Sequence, residues 1–162
     1  MIYQGFLLLM ALNGIDGALT SSMISNDTNQ VTTPIGGNRG SWFNDCSVGR
    51  DEITQINVKA GWFIDNIQVR YGDEMAGSHG KNKGTLNECI LNADEKIVVV
   101  RGRYGTVIDQ IEFVTNQENV CGPYGGNGGL PFSKSIPGYY LSCIFGRSGR
   151  YVNQIAFLWD KD

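Results

Sequence analysis

Three short turns hold the residues of this sequence that are best suited to binding chemistry. Each has a glycine followed four positions later by Asp or Asn, and the turns span residues 61–65, 105–109 and 149–153. Glycine allows a sharp turn with positive φ, which leaves the following backbone N–H groups pointing outward. A carboxylate at the end of the turn accepts hydrogen bonds only, and bonds to a charged acceptor are the stronger kind. These donors and acceptors suit the adjacent hydroxyl groups of a sugar, and no metal ion is required.

A single turn of this kind is usually a plain β-turn, and it is the repetition that favours binding. The first glycines of the three turns are 44 residues apart, and each segment continues as (Ile/Val)-(Asp/Asn)-(Asn/Gln)-Ile. Glycine-rich loops at residues 36–40, 80–84 and 125–129 recur with nearly the same spacing. A glycine loop lets a ligand approach the backbone directly, because no side chain intervenes.

The elements that position these turns are predicted to be β-strands. Apolar and polar residues alternate after each turn, as in Ile67, Val69 and Tyr71, and the β-branched run at 97–100 suits a buried strand. Repeats of 20–50 residues form solenoids, propellers or closed threefold β folds, and a propeller needs about four blades. Three repeats therefore predict an all-β fold, either a β-prism or a β-trefoil.

The composition suits one domain with a core of its own. The chain has 162 residues, of which 41% are hydrophobic and 18% charged, and its formal net charge is −3. A nucleic-acid-binding protein normally has a basic surplus, so we expect no nucleic-acid partner. The sequence contains no nucleophile elbow, P-loop or paired catalytic acids, and we therefore expect no enzymatic activity.

The N-terminal segment is typical of an exported protein. The apolar run at 6–12 is too short to span a bilayer but suits a secretory signal, although a buried first strand or helix is the alternative. Asn26 begins an Asn-x-Thr glycosylation acceptor, which agrees with a secreted, extracellular glycoprotein that is not inserted in a membrane. The predicted segments are a signal peptide at 1–20, a polar N-terminal segment at 21–33 and the main domain at 34–162.

Four cysteines are an even number, and outside the cell they should form disulfides. Their wide spacing excludes the close pairs of a zinc site, and we expect no metal and no cofactor. The only histidine, His79, lies in a polar stretch and is expected to be a solvated loop residue. The sequence leaves three connectivities open for the cysteines, which are Cys46, Cys89, Cys121 and Cys143.

Three stretches of the sequence resemble the signatures of the jacalin-related lectins. They are residues 36–43, 125–132 and 145–155, and the resemblance extends over about residues 34–160. It is greatest to the mannose/glucose-binding branch and its secreted animal members. The resemblance implies that 34–162 is a lectin domain with a β-prism fold of three four-stranded antiparallel Greek-key sheets and pseudo-threefold symmetry. It also implies binding of glycans or glycoproteins without metal, and a homodimer or higher homo-oligomer.

In this family a sugar binds between one Gly-x-x-x-Asp turn and a neighbouring glycine loop, which implies three candidate sites here. Site 1 would consist of Gly36, Gly37, Gly149, Arg150, Tyr151 and Asn153. Site 2 would consist of Gly61, Trp62, Phe63, Asp65 and Gly80. Site 3 would consist of Gly105, Thr106, Val107, Ile108, Asp109, Gly125 and Gly126.

The three sites differ at their functional positions. In site 1 the usual Asp is Asn153, and its amide lacks the charge of a carboxylate, so we expect weaker or altered binding. In site 2 the second glycine of the loop is replaced by Lys81, which is expected to crowd a ligand. Both halves of site 3 are intact, and we rank it first. Aromatic side chains such as Trp62 either stack on a sugar ring or pack against neighbouring loops.

Two other classes of protein remain as alternatives. A β-trefoil binding module of the ricin type is expected to have a Gln-x-Trp in each repeat, and the sequence has none. An extracellular structural or matrix protein would use the prism as a scaffold with reduced sugar binding, and Asn153 is the best argument for it.

Overall fold

The structure is a computed structural model, and it describes residues 29–47 and 51–162. This part of the chain contains fourteen β-strands and one short 3-10 helix. The predicted signal peptide and the acceptor Asn26 lie outside the described residues. The strands are β1 (Asn29–Val31), β2 (Ile35–Gly36), β3 (Ser41–Asn44), β4 (Ile53–Ala60), β5 (Ile64–Tyr71), β6 (Glu74–Met75), β7 (His79–Gly80), β8 (Thr85–Ile90), β9 (Ile97–Tyr104), β10 (Ile108–Thr115), β11 (Val120–Gly125), β12 (Leu130–Lys134), β13 (Tyr139–Ser148) and β14 (Val152–Lys161). The 3-10 helix η1 (Asp45–Ser47) follows β3.

The strands form three antiparallel sheets, each with four strand positions. In the third sheet the order is β11-β10-β9-β12. In the second sheet it is β6-β5-β4-β8, and β7 pairs with the same edge of β5 as β6 does. In the first sheet it is β1-β14-β13-β3, with β2 and β1 sharing one edge of β14. The outer position is thus split into two short strands in two of the sheets.

All three sheets have the same Greek-key order, in which the third strand of the unit pairs with the second, the second with the first and the first with the fourth. The first sheet is built from both ends of the described chain, because β13 and β14 supply its central strands and β1, β2 and β3 its outer ones. The prediction of an all-β prism with threefold pseudo-symmetry is confirmed. One 44-residue repeat does not correspond to one sheet, because the first sheet combines the first strands of the described chain with its last two.

The core lies between the inner faces of the three sheets. The alternation predicted after the first turn is confirmed, since Ile67, Val69 and Tyr71 are all 1% exposed or less. Phe157 and Trp159 alternate in the same way along β14 and are fully buried. The strands that follow the three turns, β5, β10 and β14, contact one another pairwise. The three turns therefore meet at one end of the prism, around its axis.

The four cysteines form two disulfides, Cys46–Cys143 and Cys89–Cys121. The first joins η1 to β13 within the first sheet, and the second joins β8 of the second sheet to β11 of the third. Cysteine pairing is confirmed, and the choice among the three connectivities follows from which strand edges the prism brings together.

The expectation that His79 is a solvated loop residue is wrong. Its ring stacks on the buried Phe43, with ring centroids 3.8 Å apart, and its Nε2 lies 2.7 Å from Oδ1 of Asp45. Asp45 is only 2% exposed. The short strand β7 therefore packs against the end of β3, so that a polar stretch of sequence contributes to the contact between the first and second sheets.

Among the residues that the structure describes, no helix has the length and apolar character needed to cross a membrane.

Candidate functional site

Each predicted turn lies beside the glycine loop that the sequence pairs with it. The backbone N–H at the second loop position donates to the carbonyl at the fifth turn position in all three sites. These bonds are Gly37 N to Asn153 O at 2.9 Å, Lys81 N to Asp65 O at 2.9 Å, and Gly126 N to Asp109 O at 3.0 Å. The structure thus brings together the two halves of each candidate site with the same geometry.

The first glycine of each loop is required by the backbone. Gly36, Gly80 and Gly125 have φ between 103° and 107°, a region that other residues rarely adopt. A Cβ at these positions would also lie 2.1–2.2 Å from the carbonyl oxygen of the turn residue opposite. The shared backbone of the three sites therefore depends on glycine at this position.

The last glycine of each loop makes room for the acceptor side chain. A Cβ on Gly84 would lie 2.7 Å from Oδ2 of Asp65, and one on Gly129 would lie 2.9 Å from Oδ2 of Asp109. In site 1 the same relation holds between Gly40 and Oδ1 of Asn153, at 3.0 Å. These glycines were not among the predicted site residues, although the 44-residue period marks them.

The turns also have a common internal structure. The first glycine N–H donates to the carbonyl of the third turn residue at 2.9–3.1 Å, so that each turn closes on itself. Ile108, predicted as a site 3 residue, is fully buried and can offer a ligand only its backbone. The exposed side chains of the turns are those of the second residues, Trp62, Thr106 and Arg150.

Burial of the acceptor differs among the sites. Asp109 is 5% exposed and Asp65 is 9% exposed. Burial raises the pKa of Asp109 above its ordinary 3.8, while the Gly105 N–H and the charge of Arg103 oppose this effect. Oδ2 of Asp109 and Oδ1 of Asn153 are buried acceptor atoms without a hydrogen-bond partner. A buried acceptor without a partner costs free energy, and a hydroxyl group of a ligand could supply the missing donor at these two atoms.

A basic side chain holds each glycine loop in place. Arg103 donates from Nε to Gly128 O and from a terminal NH to Gly129 O, both at 2.8 Å. Arg147 donates to Gly40 O at 3.2 Å in site 1, and Lys59 donates to the Asn82 side chain in site 2. These three residues are themselves 44 positions apart. The two arginines at this position, Arg103 and Arg147, therefore bind the loops through their carbonyl oxygens.

Two of the three glycine loops, those of sites 1 and 3, also contact the turn of a neighbouring sheet. A Cβ on Gly37 would lie 2.5 Å from Thr106 O, and a Cβ on Gly126 would lie 2.7 Å from Trp62 O. The loop of site 1 therefore packs on the turn of site 3, and the loop of site 3 packs on the turn of site 2. Lys81 occupies the equivalent loop position in site 2. A period in the sequence shows which residues are equivalent but not which ones are neighbours, so this arrangement was not predicted.

The third residues of the turns lie nearest the axis of the prism. The rings of Phe63 and Tyr151 meet edge to face with centroids 5.1 Å apart, and Val107 at the equivalent position is half-buried. Of the two alternatives for these aromatic residues, packing between loops is therefore what the structure shows for Phe63 and Tyr151. Trp62 is different, since 84% of it is exposed.

In the part of the chain that the structure describes, no group of three or more His, Cys, Asp and Glu side chains is placed to hold a metal ion. The three turns offer hydrogen bonding by backbone N–H groups, by two carboxylates and one amide, and by the exposed side chains of Thr106 and Arg150.

Comparison with known proteins agrees with this geometry. The family model of the jacalin-like lectin domain matches residues 32–158. Zymogen granule membrane protein 16 of Rattus norvegicus is 30% identical over 145 residues, which are 87% of this chain and 86% of that protein. Jacalin-related lectin 19 of Arabidopsis thaliana is 33% identical over 138 residues, which are 76% of each chain.

Solved structures of lectins have the same fold. A prostate-specific WGA16 glycoprotein lectin is 28% identical with a TM-score of 0.70, and the match covers 82% of this chain and 99% of that one. AcmJRL, a mannose-binding jacalin-related lectin from Ananas comosus, is 22% identical with a TM-score of 0.76, and the match covers 83% and 99% of the two chains.

Proposed function

The chain belongs to the jacalin-like lectin domain family, whose members bind carbohydrate and are not enzymes, and from this premise we propose how and what it binds. It recognises mannose- or glucose-type glycans without a metal ion, through hydrogen bonds from its three turns and glycine loops. The ligand hydroxyl groups donate to the acceptor side chain at the end of the turn and accept from backbone N–H groups.

The observation that carries this proposal is the buried acceptor of site 3. Asp109 has the two glycines of a complete loop, Gly125 and Gly126, beside it, and its Oδ2 has no partner. A carboxylate held in low-dielectric surroundings makes stronger hydrogen bonds with a ligand than an exposed one does. Site 3 is therefore the first-ranked site of the proposal.

The other two sites are proposed to bind more weakly. In site 1 the acceptor is the uncharged Asn153, whose oxygen makes weaker hydrogen bonds than a carboxylate. In site 2 the carboxylate of Asp65 is present, but Lys81 adds a long side chain where the other loops have glycine. The preference for mannose-type sugars is supported by the fold shared with the pineapple lectin, which is a mannose-binding protein.

Secretion and assembly are part of the same proposal. Support comes from the predicted signal peptide, from the two disulfides, and from similarity to a protein named for the zymogen granule membrane. We propose that the chain is a secreted glycoprotein that forms a homodimer or a larger homo-oligomer. Single shallow sugar sites bind weakly, and several linked sites would give the avidity that a lectin needs.

A glycan array tests the proposal with the wild type and the variants Asp109→Ala, Asp65→Ala and Asn153→Ala. We expect mannose-type glycans to bind, the first variant to lose most of the signal, and the other two to lose less. The matched control is Asp73→Ala, since Asp73 is an exposed aspartate in the turn after β5, at the opposite end of that strand.

A second function, an extracellular scaffold, is favoured by the single observation that site 1 has Asn153 where a carboxylate is usual. The same array separates the two functions. Binding of no glycan by the folded wild type would contradict the lectin proposal and leave the scaffold. Binding that Asp109→Ala leaves unchanged would contradict only the ranking of the sites.

A further inference from the structure

Trp62 is part of the turn of site 2 in the sequence, but it lies against the loop of site 3 in space. The position of a Cβ on Gly126 is 2.7 Å from the Trp62 carbonyl oxygen and 3.4 Å from its Cα. The backbone of Trp62 is therefore in direct contact with the glycine loop beside Asp109. Its side chain therefore starts beside the loop of site 3.

The side chain of the second turn residue differs among the three turns. Trp62 borders the loop of site 3, Thr106 borders the loop of site 1, and Arg150 occupies the remaining equivalent position. These side chains therefore differ among the sites, in addition to the differences at Asn153 and Lys81.

Trp62 is not used in packing the end of the prism. It is 84% exposed, whereas the next residue, Phe63, is half-buried against Tyr151. A protein or membrane surface would need a contiguous apolar patch. Trp62 instead lies next to Gly61 and the loop residue Gly126, which offer backbone groups.

An exposed indole ring bordering a sugar site has the right chemistry for a second sugar ring. One face of a pyranose is apolar and packs on a flat aromatic ring, while the hydroxyl groups at its rim stay in water or bond to neighbouring polar groups. The sugar bound at Asp109 occupies the space between turn and loop, so the ring that reaches Trp62 is the next one in the glycan.

We propose that Trp62 forms an extended subsite of site 3, which selects oligosaccharides of two or more sugar rings over monosaccharides. This inference rests on the proposed function, because the first ring must be held at Asp109. It assigns Trp62 to the specificity of the neighbouring site rather than to that of its own turn.

Calorimetry with methyl α-mannoside and a linear mannotriose tests this inference. The wild type should bind the trisaccharide about tenfold more tightly than the monosaccharide, as one favourable ring contact provides. Trp62→Ala should reduce this ratio to about one, because the trisaccharide loses the contact of its second ring. Trp62→Phe should restore most of the ratio, because a ring face is retained.

Trp42→Ala is the matched control, since Trp42 is also exposed but its ring contacts Phe145 and Arg147 in the first sheet. This variant should keep the wild-type ratio. It also leaves Trp62 and the fully buried Trp159 as the remaining tryptophans. In the Trp42→Ala background the emission of Trp62 should shift to the blue with mannotriose and not with methyl α-mannoside, and Asp109→Ala should abolish the shift.

The outcomes separate the two proposals. If the wild type binds neither sugar, the proposed function fails and the extended subsite fails with it. If both sugars bind and Trp62→Ala leaves their ratio unchanged, the extended subsite is wrong and the lectin proposal stands. An equal loss of both sugars in Trp62→Ala, or a blue shift that Asp65→Ala abolishes and Asp109→Ala does not, would also overturn the assignment to site 3.

Discussion

Asn153 has an amide where Asp65 and Asp109 have a carboxylate, on the same backbone geometry. The inward-facing oxygen of each acceptor lies 3.5–3.6 Å from the Cβ position of the first turn glycine, in all three sites. Because the position of the oxygen is so similar, the amide changes the strength of the hydrogen bonds and adds a donor, while the backbone shape of the site stays the same.

Substituting Asn153→Asp should therefore create a stronger site 1. In a background of Asp65→Ala and Asp109→Ala, which leaves site 1 alone, we expect sugar affinity to rise by roughly fivefold to tenfold, because hydrogen bonds to a charged acceptor are about 1 kcal/mol stronger. Calorimetry with methyl α-mannoside measures the change. Unchanged or lower affinity would mean that the acceptor charge is not what limits site 1.

The raised pKa of Asp109 predicts the pH dependence of site 3. Sugar hydroxyl groups donate to the ionised carboxylate, so the sugar binds the ionised form more tightly and affinity falls as the pH drops through the pKa of the free protein. Burial raises that pKa above 3.8, and the loss of affinity should begin at a correspondingly higher pH. A pH series of calorimetric titrations measures the midpoint.

The variant Asp109→Asn, which cannot ionise, is the control for this titration. It should bind more weakly than the wild type at neutral pH and should lack the transition. The same midpoint in both proteins would show that another group is responsible.

At the scale of elements, the glycine loops depend on strand residues that do not reach the ligand. Arg103 lies on β9 and bonds two carbonyls of the loop 125–129, and it also lowers the pKa of Asp109. Lys59 and Arg147 have the equivalent place on β4 and β13. The bonded loop keeps its N–H groups in position before a ligand arrives, which reduces the ordering cost of binding.

Replacing Arg103 by Met should loosen the loop of site 3. We expect sugar affinity to fall by about fivefold, which corresponds to about 1 kcal/mol for hydrogen bonds from a charged donor, and the free energy of unfolding to change by less than that. The midpoint of the pH titration should also move upward, since a positive charge near Asp109 is lost. Calorimetry at several pH values measures both effects.

Arg101→Met is the matched control for this variant, because Arg101 lies two residues away on the same strand and pairs with Glu112. It should leave affinity within about twofold. If the two variants weaken binding equally, the effect of Arg103 is one of general charge and not of loop position.

The sequence predicts the parts of the site that follow from repetition and local chemistry. The 44-residue period identified the turns and the loops, the family resemblance implied how they pair, and alternation identified Ile67, Val69 and Tyr71 as core. Neither the period nor the alternation predicts contacts such as Trp62 with Gly126 or His79 with Asp45, which join elements distant in sequence. These contacts depend on how the sheets close around the axis, and local pattern contains no information about that closure.

At the scale of the whole molecule, two disulfides cross-link the closed prism, and they close loops of different length. Cys46–Cys143 closes a separation of 97 residues within the first sheet, whereas Cys89–Cys121 closes one of 32 residues between the second and third sheets. A disulfide stabilises mainly by restricting the unfolded chain, and the longer loop gains more.

Removal of the disulfide that closes the longer loop should lower stability more, because the entropic effect grows with the logarithm of loop length. The pair Cys89→Ala and Cys121→Ala should lose about 3–4 kcal/mol, and the pair Cys46→Ala and Cys143→Ala about 4–5 kcal/mol. Denaturation in guanidinium under non-reducing conditions measures both. The opposite order would indicate that packing around the sulfur atoms outweighs chain entropy.

A hydrogen bond between Asp45 and His79 also joins the first sheet to the second. Asp45 is 2% exposed, its Oδ2 already lacks a partner, and His79 supplies the hydrogen bond at Oδ1. His79→Ala would remove this hydrogen bond from a buried carboxylate, and we expect a loss of about 2 kcal/mol in the free energy of unfolding. Urea denaturation followed by circular dichroism measures it.

A double-mutant cycle isolates this interaction from the loss of ring packing on Phe43. Adding Asp45→Asn to His79→Ala removes the buried charge and should recover part of the lost stability, whereas two independent effects would add. The control is Glu52→Gln, which breaks the partly exposed pair with Lys96 and should cost less than about 1 kcal/mol.

His79 also precedes Gly80, so His79→Ala should weaken sugar binding at site 2 and leave site 3 unchanged. Unchanged stability in His79→Ala would contradict a structural role for the pair.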